Sequence, residues 1–299
     1  MGENGGPAGG LLPGAGMKTV AFTVDVEPDV EPFARGTAHG IRNGLPPLFD
    51  LLEDLEVPAD FFFLGSIVGE NAWIPRKAAT LGYGIGSHGW DHALLCAKSV
   101  DQQLRDIDLA TAAIEKAGGT MPRMFRAANF SISGPALEHL SRGGYILDSS
   151  VIPGRHARRW RLFTIYDYRG ALSKPYRPSL DDFRRPGSLP ILEIPVTSNR
   201  DRPGTPLGTA YLNTFGVDRT LHHIRTVPED IVILLIHPWE LVDLGDLVPG
   251  LPEGYVRGCS SDLSPLRTLI EALRGEVRFA ALSSIATELG RGGGFQRPS

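Results

Sequence analysis

The sequence predicts a parallel α/β fold, either a barrel or a doubly wound sheet, and two observations carry that prediction. Short apolar runs rich in β-branched and aromatic residues alternate with amphipathic stretches, and polar residues stand where the apolar runs end. Residues 19–24 (TVAFTV) form the first such run, apolar enough for burial on both faces, and it ends at Asp25. Residues 45–55 have apolar positions at helical spacing after Pro46 and Pro47, and proline suits a first helical turn because its missing N–H is not needed there. Residues 59–64 (ADFFFL) read as a second buried strand. A short helix over 76–81 leads through Gly82 and Gly84 to a strand at Ile85 and Gly86, whose end presents Ser87 and His88. Residues 99–117 form an amphipathic helix stopped by Gly118 and Gly119. A brief strand at Met124 and Phe125 ends at Arg126, a helix over 134–141 is closed by Gly143 and Gly144, and 145–147 leads to Asp148. An irregular region follows to about Pro190. Beyond it, 191–196 (ILEIPV) is strand-like, 220–226 helical, 231–236 (IVILLI) the strongest strand, and 265–274 a further helix.

Asp25, His88, Arg126, Asp148 and His237 each follow one of these apolar runs. In parallel α/β folds the carboxyl ends of the strands form the functional face. His88 and His92 stand four residues apart in SHGWDH, a spacing at which two neutral imidazoles close on one metal ion. The pair Asp25 and Glu27 offers a carboxylate ligand. Catalytic zinc sites commonly take three protein ligands and keep a position open for water, which the metal acidifies. Taken singly, each His has an ordinary reading as a cap or a surface polar group. The His pair together with the carboxylate favours a metal.

At 299 residues, 42% hydrophobic and 21% charged, the composition is that of a globular protein with one large α/β domain or two small ones. A net charge of −4 argues against nucleic acid as a partner, since no basic excess is present to neutralise phosphates. Cys96 and Cys259 are far apart in sequence and indicate neither a disulfide framework nor a thiolate metal site. The leader MGENGGPAGGLLPGAG lacks the basic start and apolar stretch of a secretory signal, and no run approaches the ~18 apolar residues of a membrane span. These features predict a cytoplasmic protein with no integral membrane segment. The expected organisation is a disordered extension over 1–16, a catalytic domain over 17–290 and a flexible tail over 291–299, with Met17 as an alternative start to Met1.

In their order, FTVDVE (22–27), SHGWDH (87–92), FRAANF (125–130), DSS (148–150) and LIH (235–237) resemble the five motifs of the polysaccharide deacetylase family, the NodB-homology domain of carbohydrate esterase family four. The resemblance runs over about 19–240. DSSVIPG, LEIPV and HPWEL look most like a bacterial subgroup associated with exopolysaccharide or glycolipid loci. The family resemblance implies a distorted (β/α) barrel of about seven strands and a divalent metal, Zn2+ in the first instance, held by Glu27, His88 and His92. It implies Asp25 as general base with Arg126 as its partner, and His237 as general acid with Asp148 as its partner. Further implied roles are the Phe130 backbone N–H at the oxyanion and Leu235 beside the acetyl methyl, with ordinary core as the alternative for Leu235. Trp90 and Trp239 are candidates to stack on a sugar, packing being the alternative, and Tyr211 belongs to a Gly-rich segment (208–211) over the site. One departure is Glu27-Pro28-Asp29, which leaves Asp29 as a second candidate ligand. It is the weaker one, because Pro28 turns the chain away from the strand end.

The expected activity is hydrolytic removal of an N-acetyl group from an amino sugar in a glycan, a lipid-linked sugar or a small glycoside. Rival readings are a deformylase of a lipid-linked aminosugar, a cyclic ureide hydrolase, and a carbohydrate-binding protein without catalysis; the full set of base, ligands and acid argues against the last. Residues 155–202, rich in Arg and holding Tyr166, Tyr168 and Tyr176, are expected to border the site as an insertion that selects the substrate. Clustered arginines such as Arg158 and Arg159 would face an anionic or sugar-bearing ligand, and a solvated Arg-rich loop is the competing reading.

Overall fold

In the computed structural model, which describes residues 16–159 and 163–291, the apolar runs assemble around β1 (Lys18–Val26). The other parallel strands are β2 (Ala59–Phe63), β3 (Gly84–Ser87), β4 (Met124–Phe125), β5 (Leu147–Asp148), β8 (Leu192–Glu193), β9 (Ile231–Ile236) and β10 (Val277–Phe279). Seven of them lie in the order β9–β1–β2–β3–β4–β5–β8, and β10 pairs with Lys18–Val20 at the start of β1. This is the barrel alternative, curled and incomplete. Between β8 and β9 the ladder is replaced by Thr197, whose Oγ1 accepts from Ile233 N at 2.8 Å, and by a bridge between Gly208 and Leu235. Strands β6 (His156–Arg159) and β7 (Phe163–Asp167) form a separate antiparallel hairpin.

Side chains alternate across the strands, so each run feeds two cores. Ala21, Phe62, Met124, Leu147, Leu192 and Ile233 fill the interior with Leu282, Ile285 and Ala286 of the helix Leu282–Arg291. Val20, Phe22, Val24, Phe61, Phe63, Leu234 and Ile236 pack outward beneath helices such as Leu45–Asp54 and Ser264–Leu273. Gly86 admits the Phe62 ring, which would stand 2.6 Å from any Cβ placed there. The helix Val100–Gly118 ends at Gly119 with φ 75°, as its sequence predicts, and begins with a Ser99/Gln102 capping box. One acid lies inside: Asp60 Oδ2 accepts from Leu282 N at 2.6 Å, and burial pushes its carboxyl up to about 7.

Three departures from the sequence reading are local. Only Leu192–Glu193 is a strand within 191–196, although Ile194 N and Val196 N still donate to Asp148 O and Val151 O at 2.9 Å. The Gly-rich segment 208–211 is no loop but the entry to a helix, Thr209–Phe215, which precedes Val217–Thr226. Residues 155–190 contain the β6–β7 hairpin rather than irregular chain alone. Residues 1–15 and 292–299, where an extension and a tail are expected, lie outside the described residues. No described helix is long and apolar enough to cross a membrane.

Candidate active site

Asp25 and Glu27 share one face of β1 because strand side chains alternate, and the next strand ends supply the rest. Asp25, Glu27, His88, His92 and His237 line a single cleft of about 850 Å3. His88 follows β3 directly and is buried; its Nδ1 lies 2.8 Å from Arg126 O, which as acceptor fixes the N–H there and turns the Nε2 lone pair to the cleft. His92 comes on the bend after Gly89, and its carbonyl accepts from Asn129 Nδ2 at 3.0 Å.

The Glu27, His88 and His92 ligand atoms lie within 4.8 Å of one another. Glu27 Oε2 stands 2.6 Å from His92 Nε2 and 3.4 Å from His88 Nε2, yet makes no well-directed hydrogen bond; the buried Asp25 Oδ2 has no partner either. Atoms that crowd together while pointing at a common space, in a two-imidazole and one-carboxylate set, suit a divalent ion. Burial alone would raise the Glu27 carboxyl, but His92, His237 and His88 around it hold it well below the usual range. Asp29, the weaker candidate, is fully occupied elsewhere: its carboxylate accepts from His39 N (2.7 Å), Gly40 N (2.9 Å) and Thr37 Oγ1 (2.7 Å).

Beneath the cleft Arg126 is completely buried. Its Nη1 donates to Asp25 Oδ1 (2.8 Å) and Thr23 Oγ1 (2.9 Å), its Nε to Ser149 O (2.9 Å) and its Nη2 to Ser149 Oγ (3.0 Å). The guanidinium also lies 4.4 Å from the Phe62 ring centroid. A buried guanidinium so fully bonded holds one Asp25 oxygen in place and leaves the other facing the cleft.

His237 follows β9. Its Nδ1 lies 2.7 Å from Glu240 Oε1, and Glu240 Oε2 accepts from His237 N at 3.2 Å and from Thr209 Oγ1. Burial would lower this imidazole, but Glu240 and then Glu27 raise it to about 9. Its Nε2 is 3.8 Å from Glu27 Oε1.

Residues 14–146 match the sequence model of the polysaccharide deacetylase family. The match covers somewhat less than half of the chain. A curated relative, the peptidoglycan-N-acetylglucosamine deacetylase PgdA of Listeria monocytogenes, is 32% identical over 81 residues, which are 27% of this chain. The match spans 17% of that protein's length. Among solved structures, a Mycobacterium smegmatis protein provisionally described as a polysaccharide deacetylase superposes with a TM-score of 0.66 at 21% identity, covering 99% of this chain and 100% of that one. PuuE allantoinase superposes with a TM-score of 0.64 at 15% identity, covering 96% of this chain and 94% of that one. These likenesses show the fold, a curled parallel α/β barrel.

Several sequence expectations require correction. Asp148 does not partner His237. Its register pairs it with Glu193, it accepts from Ser150 Oγ at 2.7 Å, and burial and then the neighbouring Asp148 hold Glu193 well above the usual carboxylate range. The Phe130 N–H is already committed to Ala127 O at 2.8 Å and is not free for an oxyanion, although Phe130 lines the cleft. Leu235 sits in the core with Phe130 and does not line the cleft. Trp90 packs against Gly65, away from the cleft lining. Trp239 lines the cleft, but its indole N–H donates to Glu27 Oε1 at 3.0 Å and its ring stacks on His237 at 5.0 Å. Tyr211 lines the cleft with its hydroxyl donated to Asp201.

The tyrosines of 155–202 form no exposed face, since Tyr166, Tyr168 and Tyr176 are all buried. Two of them brace the site. Asn129 and Phe130 adopt consecutive left-handed conformations (φ 55° and 60°), costly for a phenylalanine, and their carbonyls accept from Tyr166 Oη (3.0 Å) and Tyr168 Oη (2.6 Å). The Arg158 and Arg159 side chains lie outside the described ones. Glu240 is not among the residues expected from sequence, although His237-Pro-Trp-Glu240 has the spacing of a capping box with proline at the first helical position.

Proposed function

We propose that the protein is a metal-dependent hydrolase that removes an N-acyl group, acetyl in the first instance, from an amino sugar. The observation that supports this best is the meeting of three ligand side chains, one arginine-held carboxylate and one carboxylate-held imidazole at the mouth of one cleft in a deacetylase barrel. Glu27, His88 and His92 would hold the ion, Zn2+ on their donor chemistry. When bound, it supplies Lewis acidity toward water and toward the acyl oxygen.

Asp25 Oδ2, unpartnered and aimed into the cleft, takes the proton of the attacking water. Arg126 keeps that carboxylate in one orientation through the reaction. His237, its Nδ1–H directed at Glu240, presents Nε2 toward the departing amine and gives it a proton. Cleavage of the C–N bond then leaves a free carboxylic acid and an amino sugar.

Acetate release from N-acetylated chitooligosaccharides by wild type, loss of stoichiometric metal in His88→Ala and His92→Ala with the fold intact, and a fall of roughly a hundredfold in Asp25→Asn with metal retained are expected. Unchanged metal content in both His variants would remove the ligand assignment. N-formylated sugar and allantoin in the same assay test the deformylase and cyclic ureide readings, and turnover of either in place of acetylated sugar replaces the acetyl reading.

A further inference from the structure

Arg155 opens the hairpin segment and lines the same cleft as Asp25, His88 and His237. Its partners are neutral: Nε donates to Tyr166 Oη (2.9 Å), Nη1 donates to Gly204 O (3.2 Å), and the guanidinium lies 5.0 Å from the Phe130 ring centroid. Among the described residues no carboxylate pairs with it. Other arginines nearby are neutralised locally, Arg169 by Asp167, Arg184 by Asp182 and Arg257 by Glu253.

The carboxylates of the cleft face other groups: Asp25 faces Arg126, Glu27 His92, Glu31 Arg35, Glu240 His237, Asp201 Tyr211 and Arg219, and Asp29 backbone N–H groups. Arg202, exposed on the same cleft, also lacks a carboxylate partner among the described residues. Arg155 is moreover fixed relative to the ligand set. Tyr166 Oη donates to Asn129 O (3.0 Å), and Asn129 Nδ2 donates to the carbonyl of His92 (3.0 Å). Two of the five guanidinium N–H donors are used, which leaves three for a planar or tetrahedral oxyanion.

We propose that Arg155, assisted by Arg202, is an anion subsite: the substrate carries a carboxylate or phosphate on the amino sugar or on the unit beside it, and this cation selects for it. The inference rests on the amino-sugar reading of the cleft for where the sugar lies, and on the arginine geometry for the charge.

The test compares N-acetylglucosamine 1-phosphate, a disaccharide of N-acetylglucosamine and glucuronic acid, and neutral N,N′-diacetylchitobiose, by kcat/KM and by calorimetric binding to the intact protein. Wild type should prefer at least one anionic probe by about tenfold or more, less so at high salt, and Arg155→Gln should lose that preference. A preference for the phosphate names a sugar phosphate as the source, and one for the glucuronate names an acidic glycan. Arg155→Lys, which keeps a charge without the fork, serves if Arg155→Gln fails to fold, and should lose part of the preference. No anionic preference in wild type, or one that persists undiminished in the variants, overturns the proposal. Binding preference that follows Arg155 without hydrolysis of any probe would sink the deacetylase reading and leave the subsite standing.

Discussion

Trp239 donates its indole N–H to Glu27 Oε1 at 3.0 Å while its ring lies nearly parallel to His237, at 20°. One side chain thereby orients the carboxylate of the ligand set and packs against the imidazole beside it. The arrangement resembles the outer hydrogen bonds that tune metal ligands elsewhere.

Trp239→Phe retains a ring against His237 and removes the donor to Glu27. Metal affinity should fall about 10- to 100-fold. Competition with a chromogenic chelator measures this, and an affinity equal to wild type would show that the indole N–H has no part in holding the carboxylate.

Glu240→Gln keeps the shape of the His237 partner and removes its charge. Turnover should drop on the order of a hundredfold with metal content unchanged, while Asp148→Asn leaves His237 with its partner and has a smaller effect on rate than Glu240→Gln. Steady-state kinetics with metal analysis checks both, and the reverse order of losses would return Asp148 to the role of imidazole partner.

Asp60 predicts a pH effect on stability that is separate from catalysis. Its carboxyl is pushed up by burial from the ordinary value of 3.8 to about 7 in the folded chain. The folded state therefore binds more protons than the unfolded state across that window. The stability this residue contributes is complete below about pH 4 and is lost as pH rises through about 7, a loss of a few kcal/mol. Asp60→Asn keeps an acceptor for Leu282 N and should flatten this part of the curve. Urea melts from pH 4 to 8 measure it, and parallel curves for wild type and variant would refute the linkage.

Tyr168→Phe strips Phe130 O and Ile132 N of a buried partner, the latter bonded at 3.1 Å. A loss of about 1–3 kcal/mol is expected from the unsatisfied groups. Thermal denaturation checks the size, and stability within 0.5 kcal/mol, roughly the scatter of surface substitutions, would mean that the left-handed pair holds itself.

The strand ends were readable because each apolar run stops at one polar residue, and burial of both strand faces makes such stops conspicuous. That is why Asp25, His88, Arg126, Asp148 and His237 stand out by their place after those runs. Partnership was less readable. Whether Asp148 meets His237 or Glu193 depends on the register of β5 against β8, a strand of two paired residues beside Pro195, and a pattern of hydrophobicity carries no register that short. The roles of Trp90 and Trp239 were equally hidden, since both are tryptophans near a strand end and only tertiary packing sends one to Gly65 and the other to Glu27. Tyr166 and Tyr168 alternate within a run of arginines, where composition suggests a solvated surface and the fold puts them underneath.

The bracing of Asn129 and Phe130 by those two tyrosines has a consequence for how this cleft can be re-engineered. The hairpin is no detachable module: exchanging it for another segment withdraws the hydroxyls that hold an unfavourable backbone beside His92. A graft meant to alter what enters the cleft must carry its own tyrosines at 166 and 168, or it will alter the machinery along with the entrance.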